Sequence, residues 1–194
     1  MSPCSAVILN TIVVSGSLCA IANSIQDQKS SQDPNQLIYT HCWIEGDPLF
    51  ADSGHWDTQG TSSTEDDVFI PGDYHLKSQA GRWDPNSLTW VKDAVTSPCI
   101  DAGDPANPGW MNELWPNGRR IDIGAYGGMA EASMSPNVIG LAADLNFDDA
   151  VDIADFAILS RAWMKNEPPL SADLTRDGRV DLDDLAAMAE NWMK

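Results

Sequence analysis

The feature that most constrains this chain is an internal duplication near its C-terminal end. Residues 144–165 (DLNFDDAVDIADFAILSRAWMK) and 173–194 (DLTRDGRVDLDDLAAMAENWMK) align without a gap. Both copies have Asp at positions 1, 5, 9 and 12, Val at position 8 and a closing Trp-Met-Lys. Alternate residues of a tight loop direct their side-chain oxygens at one centre, and this spacing is that of EF-hand loops, which wrap Ca²⁺. The duplication therefore predicts two calcium-binding loops.

The predicted ligands of each loop are four carboxylates, one further side chain at position 3 and the backbone carbonyl of position 7. They are Asp144, Asn146, Asp148, Ala150, Asp152 and Asp155 in loop one, and Asp173, Thr175, Asp177, Arg179, Asp181 and Asp184 in loop two. Oxygen donors without His or Cys favour Ca²⁺ over zinc or copper. Position 6 prefers Gly for its sharp turn and is Gly178 in loop two but Asp149 in loop one. We therefore expect site one to be strained or weaker.

An amphipathic helix is predicted after each loop. Apolar residues recur at i, i+3 and i+7 in both copies, as Phe156, Leu159 and Trp163 and as Leu185, Met188 and Trp192. The two equivalent faces are expected to pack on each other, with Val151 pairing with Val180 between the loops.

Neither loop has room for an entering helix. Pro136 and Gly140 precede loop one and Pro168 and Pro169 precede loop two, and proline interrupts helical hydrogen bonding. The predicted units are therefore half EF-hands, which disfavours a calcium sensor or an intracellular calcium buffer. Residues 142–194 resemble a type I dockerin, a small all-α domain of two such calcium-loop–helix units.

The dockerin resemblance implies secretion and docking to a cohesin-like domain, often within polysaccharide-degrading assemblies. In that family loop positions 10 and 11 help to select the cohesin, often as a Ser-Thr pair. These positions are Ile153 and Ala154 in loop one and Leu182 and Asp183 in loop two. The identity of the partner therefore stays open, while the near-symmetry of the two halves implies docking in two orientations.

The rest of the chain is expected to be all-β, which makes the predicted fold class mixed. Runs rich in β-branched residues at 7–14, 20–25 and 37–44 predict strands within residues 1–46, and residues 47–136 are rich in Gly, Pro, Asp and Trp. The segments GDPLFAD (46–52), GDYHLKSQAGRWDPNS (72–87), SPCIDAGDP (97–105) and RIDIGAYGG (120–128) resemble the C-terminal end of right-handed parallel β-helix proteins. Residues 1–46 would then be partial rungs, 47–136 the capping region and 137–141 a linker.

The net charge and the apolar segments of the chain exclude several classes of partner. The net charge of −18 excludes nucleic acid and disfavours an anionic membrane as a partner. No apolar run is long enough for a membrane span, and the apolar start has no cation before Lys29, so we interpret it as folded structure at the edge of a longer protein rather than as a signal peptide.

No nucleophile motif or phosphate-binding loop is present, so the sequence predicts no catalytic residues. The leading hypothesis is a non-catalytic extracellular or cell-surface anchoring module with two Ca²⁺ sites and a cohesin-like partner, with polysaccharide as a further candidate partner. The alternative is the C-terminal fragment of a polysaccharide lyase or glycoside hydrolase whose catalytic rungs lie upstream.

Overall fold

The structure is a computed structural model and describes residues 6–9, 37–42, 46–165 and 171–194. Strands β1 (Ala6–Leu9) and β2 (Leu37–Thr40) pair in parallel, with Ala6 opposite Leu37. Strand β1 overlaps the predicted run 7–14 and β2 lies within the run 37–44, so these two strand predictions are confirmed. The strand expected at 20–25 lies outside the described residues.

Two antiparallel hairpins come next along the chain, within residues 46–136, which form the β part of the protein. Strand β3 (His55–Asp57) pairs with β4 (Val68–Ile70), and β5 (Arg82–Asp84) pairs with β6 (Thr89–Val91). A five-residue 3₁₀ helix at Pro108–Asn112 has Asn107 as its N-cap. The mixed fold class is confirmed. The described residues do not show a parallel β-helix, because turns within the β part fold the chain back into antiparallel hairpins.

The core of the β part is built around Leu76, Cys99, Ile100 and Ile123. Burial raises the pKa of the Cys99 thiol to about 11, so this free cysteine is an unreactive packing residue at neutral pH. On the β5–β6 hairpin the directly opposed Trp83 and Trp90 meet edge to face, with ring centroids 5.5 Å apart, and Trp83 is buried. Packing is therefore the role of at least this tryptophan.

The β part also buries two neighbouring carboxyl groups. Glu113 Oε1 accepts hydrogen bonds from the backbone N–H groups of Asp122 and Gly128 at 2.9 and 2.8 Å, while Asp122 Oδ2 has no hydrogen-bond partner. Burial raises the pKa of Glu113 to about 7, with a further contribution from the charge of Asp101. Burial and the charge of Glu113 raise the pKa of Asp122 as well. The folded state therefore favours protonation of this pair.

Because protonation is favoured only in the folded state, the β part should lose stability as the pH rises from about 4.5 to about 7. Glu113→Gln keeps the carbonyl acceptor for both N–H groups but cannot ionise. It should therefore reduce the loss of unfolding free energy over this pH range by on the order of 3 kcal/mol. Urea unfolding at pH 5 and pH 7 with calcium held saturating measures the effect, with exposed Glu65→Gln as the matched control. Equal slopes in Glu113→Gln and the unchanged chain would contradict it.

The C-terminal part consists of two loops and two helices, α1 (Ile153–Ala162) and α2 (Leu182–Glu190). Asp152 and Asp181 are the N-caps, and each forms a complete capping box with the Asp three residues later. No helix lies between residues 135 and 152, as predicted for loop one, while the same prediction for loop two rests on Pro168 and Pro169, which lie outside the described residues. In the described part of the chain, no helix is both long and apolar enough to cross a membrane.

The core between the two loop–helix halves of the C-terminal part contains fewer helix residues than the sequence predicts. One apolar residue of each helix, Leu159 in α1 and Met188 in α2, is fully buried, and it packs with loop residues of the same cluster, Ala143, Val151, Ala172 and Val180. Both valines lie in this core, and their direct pairing stays a prediction. The prediction that the whole i, i+3, i+7 faces pack together is wrong: Phe156, Trp163 and Trp192 stay 36%, 37% and 40% exposed. Each of these short helices, ten and nine residues long, contributes one central apolar residue to the core, and the loops contribute the other core residues.

Candidate metal centres

The first aspartate of each loop is buried and holds the loop around itself. Asp144 is 3% exposed, and its two carboxylate oxygens accept hydrogen bonds from the N–H groups of Asp148 at 3.1 Å and Asp149 at 3.0 Å. Asp173 is 1% exposed and accepts the equivalent bonds from Asp177 at 3.2 Å and Gly178 at 2.9 Å. Both predicted loops are therefore wrapped in the same way.

The aspartate at position 12 closes each loop onto its helix. Asp155 accepts from the N–H of Leu145 at 2.7 Å with one oxygen and from the N–H of Asp152 at 2.8 Å with the other. Asp184 accepts from Thr175 at 3.0 Å and from Asp181 at 2.8 Å. Both carboxylates are fully buried, so the first turn of each helix places them beneath the loop.

The remaining predicted ligand positions lie toward solvent. Asp148 and Asp177 at position 5 each accept from the N–H of position 7, at 3.0 Å in both loops. The N-caps at position 9 each accept from the N–H of position 11, at 2.7 Å in loop one and 3.0 Å in loop two. At position 3, Asn146 and Thr175 are exposed.

The donor set and its burial fit a divalent cation bound by oxygen. Within the described ranges no three His, Cys, Asp or Glu side chains converge on one point, so the fit rests on charge rather than on a preformed cage. Each loop buries two carboxylates within a twelve-residue segment, and burial raises the pKa of Asp173. Buried like charges are costly unless a cation offsets them. Bound Ca²⁺ would supply that charge.

Position 6 has the same backbone conformation in both loops. Asp149 has φ 69° and Gly178 has φ 90°, so the turn requires the left-handed region in either case. Asp adopts this region more readily than most residues, at a cost of about 1 kcal/mol. The Asp149 carboxylate also accepts a hydrogen bond from Arg119 of the β part. The sequence alone gave no signal for that contact, because the two residues are distant along the chain.

The predicted partner-binding residues lie on the first turn of each helix. Ile153 and Leu182 at position 10 are 68% and 69% exposed, and Ala154 and Asp183 at position 11 are exposed too. The duplication thus presents two equivalent apolar side chains to solvent. Isolated exposed apolar residues are common, but a symmetric pair beside the two candidate metal loops is a candidate docking surface.

Comparison with known families agrees with this reading of the C-terminal part. Residues 142–191 match the dockerin type I domain, so this segment is a type I dockerin module. Residues 5–103, which are 99 of the 194, match the family described as disaggregatase related. Since that match spans just over half of the chain, the chain belongs to the disaggregatase-related family. Neither the curated proteins nor the solved structures gave a match.

Type I dockerin domains bind calcium and dock onto cohesin partners, and they are typically extracellular or on the cell surface. A calcium-dependent, cohesin-binding anchoring role for the C-terminal module follows from this family.

Proposed function

We propose that this chain is a non-catalytic extracellular anchoring protein whose C-terminal module, residues 142–194, holds two Ca²⁺ ions, one in each loop. The ligands are the side chains or carbonyls of Asp144, Asn146, Asp148, Ala150, Asp152 and Asp155 in loop one, and of Asp173, Thr175, Asp177, Arg179, Asp181 and Asp184 in loop two. The observation that carries the proposal is the matched burial of two carboxylates in each loop, with equivalent hydrogen bonds. Calcium supplies the offsetting charge and holds each loop closed onto the first turn of its helix.

Docking uses the first turns of α1 and α2. Ile153 and Leu182 supply the apolar anchors, and the neighbouring Ala154 and Asp183 complete the surface. An apolar residue at position 10, in place of a hydroxyl, selects a cohesin with an apolar contact surface. Because the two halves present the same residue type, the module docks through either half, with the other turned away from the partner.

The N-terminal half carries the module and presents it to its partner. Its parallel β1–β2 pair is the feature that supports terminal rungs of a parallel β-helix in residues 1–46, followed by a capping region to residue 136 and a linker at 137–141. No observation on the described residues favours the polysaccharide lyase or glycoside hydrolase alternative, or a polysaccharide partner, and both stay predictions.

The docking surface is tested by pull-down of type I cohesin domains with the full chain. Binding is expected with calcium and lost with chelator. Ile153→Asp or Leu182→Asp alone should retain binding through the other half, while the double variant should lose at least about a hundredfold in affinity, because two charges are placed in a desolvated contact.

Leu88→Asp with Val95→Asp is the matched control, since both residues are exposed apolar positions in the β part. This control pair should bind as the unchanged chain does. Unaltered binding by the Ile153→Asp, Leu182→Asp double variant would exclude the first helical turns as the docking surface.

A further inference from the structure

The two calcium loops contact the β part through equivalent positions. Position 4 is Phe147 in loop one and Arg176 in loop two. The Phe147 ring packs edge-on against Trp110, with centroids 5.2 Å apart. The Arg176 guanidinium carbon lies 5.9 Å from the centre of the Trp90 ring, and one of its nitrogens donates to the Trp115 carbonyl. The duplicated module therefore meets the β part twice with the same loop position.

A third contact reaches loop one from the β part. Arg119 donates to the Asp149 carboxylate and lies 3.9 Å from Asp144 Oδ2. Because Asp149 offsets its charge, the guanidinium reaches the loop as one half of an ion pair, and does not act as an uncompensated cation beside a proposed calcium ligand. The Arg119 side chain is 24% exposed and that of Asp149 is 68% exposed, so only the guanidinium side of this pair is shielded from solvent.

All three contacts depend on the wrapped form of the loops. Phe147, Asp149 and Arg176 have φ values of 60°, 69° and 64°. Residues with a Cβ adopt this region mainly where a tight turn imposes it. A loop that relaxes toward ordinary φ values would turn these side chains away from the tryptophans and from Arg119.

The contact is also limited in extent. A cleft of about 590 Å³ remains between the two parts, with Trp115, Met129 and Phe147 among its lining residues. Interfaces within a chain leave their two parts free to move unless they are large and hydrophobic, and this cleft interrupts the present one. A modest change in free energy at the loops is therefore enough to shift this contact.

We propose that calcium loading of the loops and their seating on the β part are one linked equilibrium, carried by Arg176 and by the Arg119–Asp149 pair. The proposal rests on the proposed function, because the loops must bind calcium for the linkage to exist. Calcium holds the loops wrapped, and wrapped loops place Phe147 and Arg176 against the β part. By thermodynamic reciprocity, seating raises calcium affinity by the same factor.

Hydrogen–deuterium exchange on the full chain, with calcium and with chelator, measures calcium binding and seating of the loops separately. Residues 182–190 of α2 report calcium binding, and residues 108–120 of the β part report seating. In the unchanged chain calcium should slow exchange in both segments. In Arg176→Gln calcium should still slow exchange in 182–190 but no longer in 108–120.

Arg119→Gln is the second variant, since it lies outside the loops and cannot spoil their folding directly. It should also weaken calcium-dependent protection of 108–120. Arg161→Gln, which removes the same charge from an exposed position on α1, should behave as the unchanged chain does.

The outcomes separate the two proposals. Calcium protection of 182–190 without protection of 108–120 in the unchanged chain would overturn the linkage and leave the proposed function standing. Full protection of 108–120 in both Arg176→Gln and Arg119→Gln would overturn the assignment to these residues. Protection of neither segment in the unchanged chain would overturn the proposed function, and the linkage with it.

Discussion

Chelating calcium is expected to unfold α1 and α2 while the β part stays folded. The module has about fifty residues, and its core has few fully buried side chains, among them Leu159 and Met188. Domains of this size rarely fold on a core alone, so metal binding supplies much of the folding free energy. The capping boxes at Asp152 and Asp181 contribute about 1 kcal/mol each, which is too little to replace it. Far-ultraviolet circular dichroism should lose its helical signal.

Hydrogen exchange at the Ile123 amide, which donates to the Cys99 carbonyl in the buried core of the β part, provides the internal control and should stay slow in chelator. Adding back magnesium at equal concentration should restore less of the helical signal than calcium does, since Mg²⁺ requires a more rigid octahedral site. A helical signal that is unchanged by chelation would show that the module folds without metal.

Asp184→Asn should lower the calcium affinity of loop two about a hundredfold, or about 3 kcal/mol. Asp184 is fully buried and accepts from the N–H groups of Thr175 and Asp181, so its carboxylate joins the start of the loop to the start of α2. Asparagine keeps one acceptor oxygen but replaces the other with a donor that faces an N–H group. Calorimetric titration of the full chain with calcium measures the loss.

Glu190→Gln is the matched control, because it removes one acidic charge from an exposed position on the same helix. Its calcium affinity should stay within about twofold of the unchanged chain, since exposed charges act weakly through water. Equal affinities for Asp184→Asn and Glu190→Gln would exclude Asp184 as a ligand.

The sequence was most informative where local spacing determines structure. The repeat of Asp at fixed positions predicted the loops and the apolar period predicted the helices, because each depends on residues that are close along the chain. The helix faces were predicted too broadly, since periodicity cannot tell that loop residues such as Ala143 and Ala172 fill the core in place of Phe156.

Contacts between distant segments were the part that the sequence could not predict. Asp149 departs from the preferred Gly and predicted a strained site, yet its side chain is the partner of Arg119. The antiparallel hairpins of residues 46–136 were likewise not predicted, because Gly-rich and Pro-rich turns are compatible with both a coil corner and a hairpin.

The central claim is that two calcium ions hold the C-terminal module together, and the stoichiometry of calcium binding tests it most directly. Calorimetric titration of the metal-free full chain should give two ions per chain, and Asp184→Asn should leave one bound at the original affinity. The absence of binding heat, or a stoichiometry unaffected by the loop aspartates, would contradict the account.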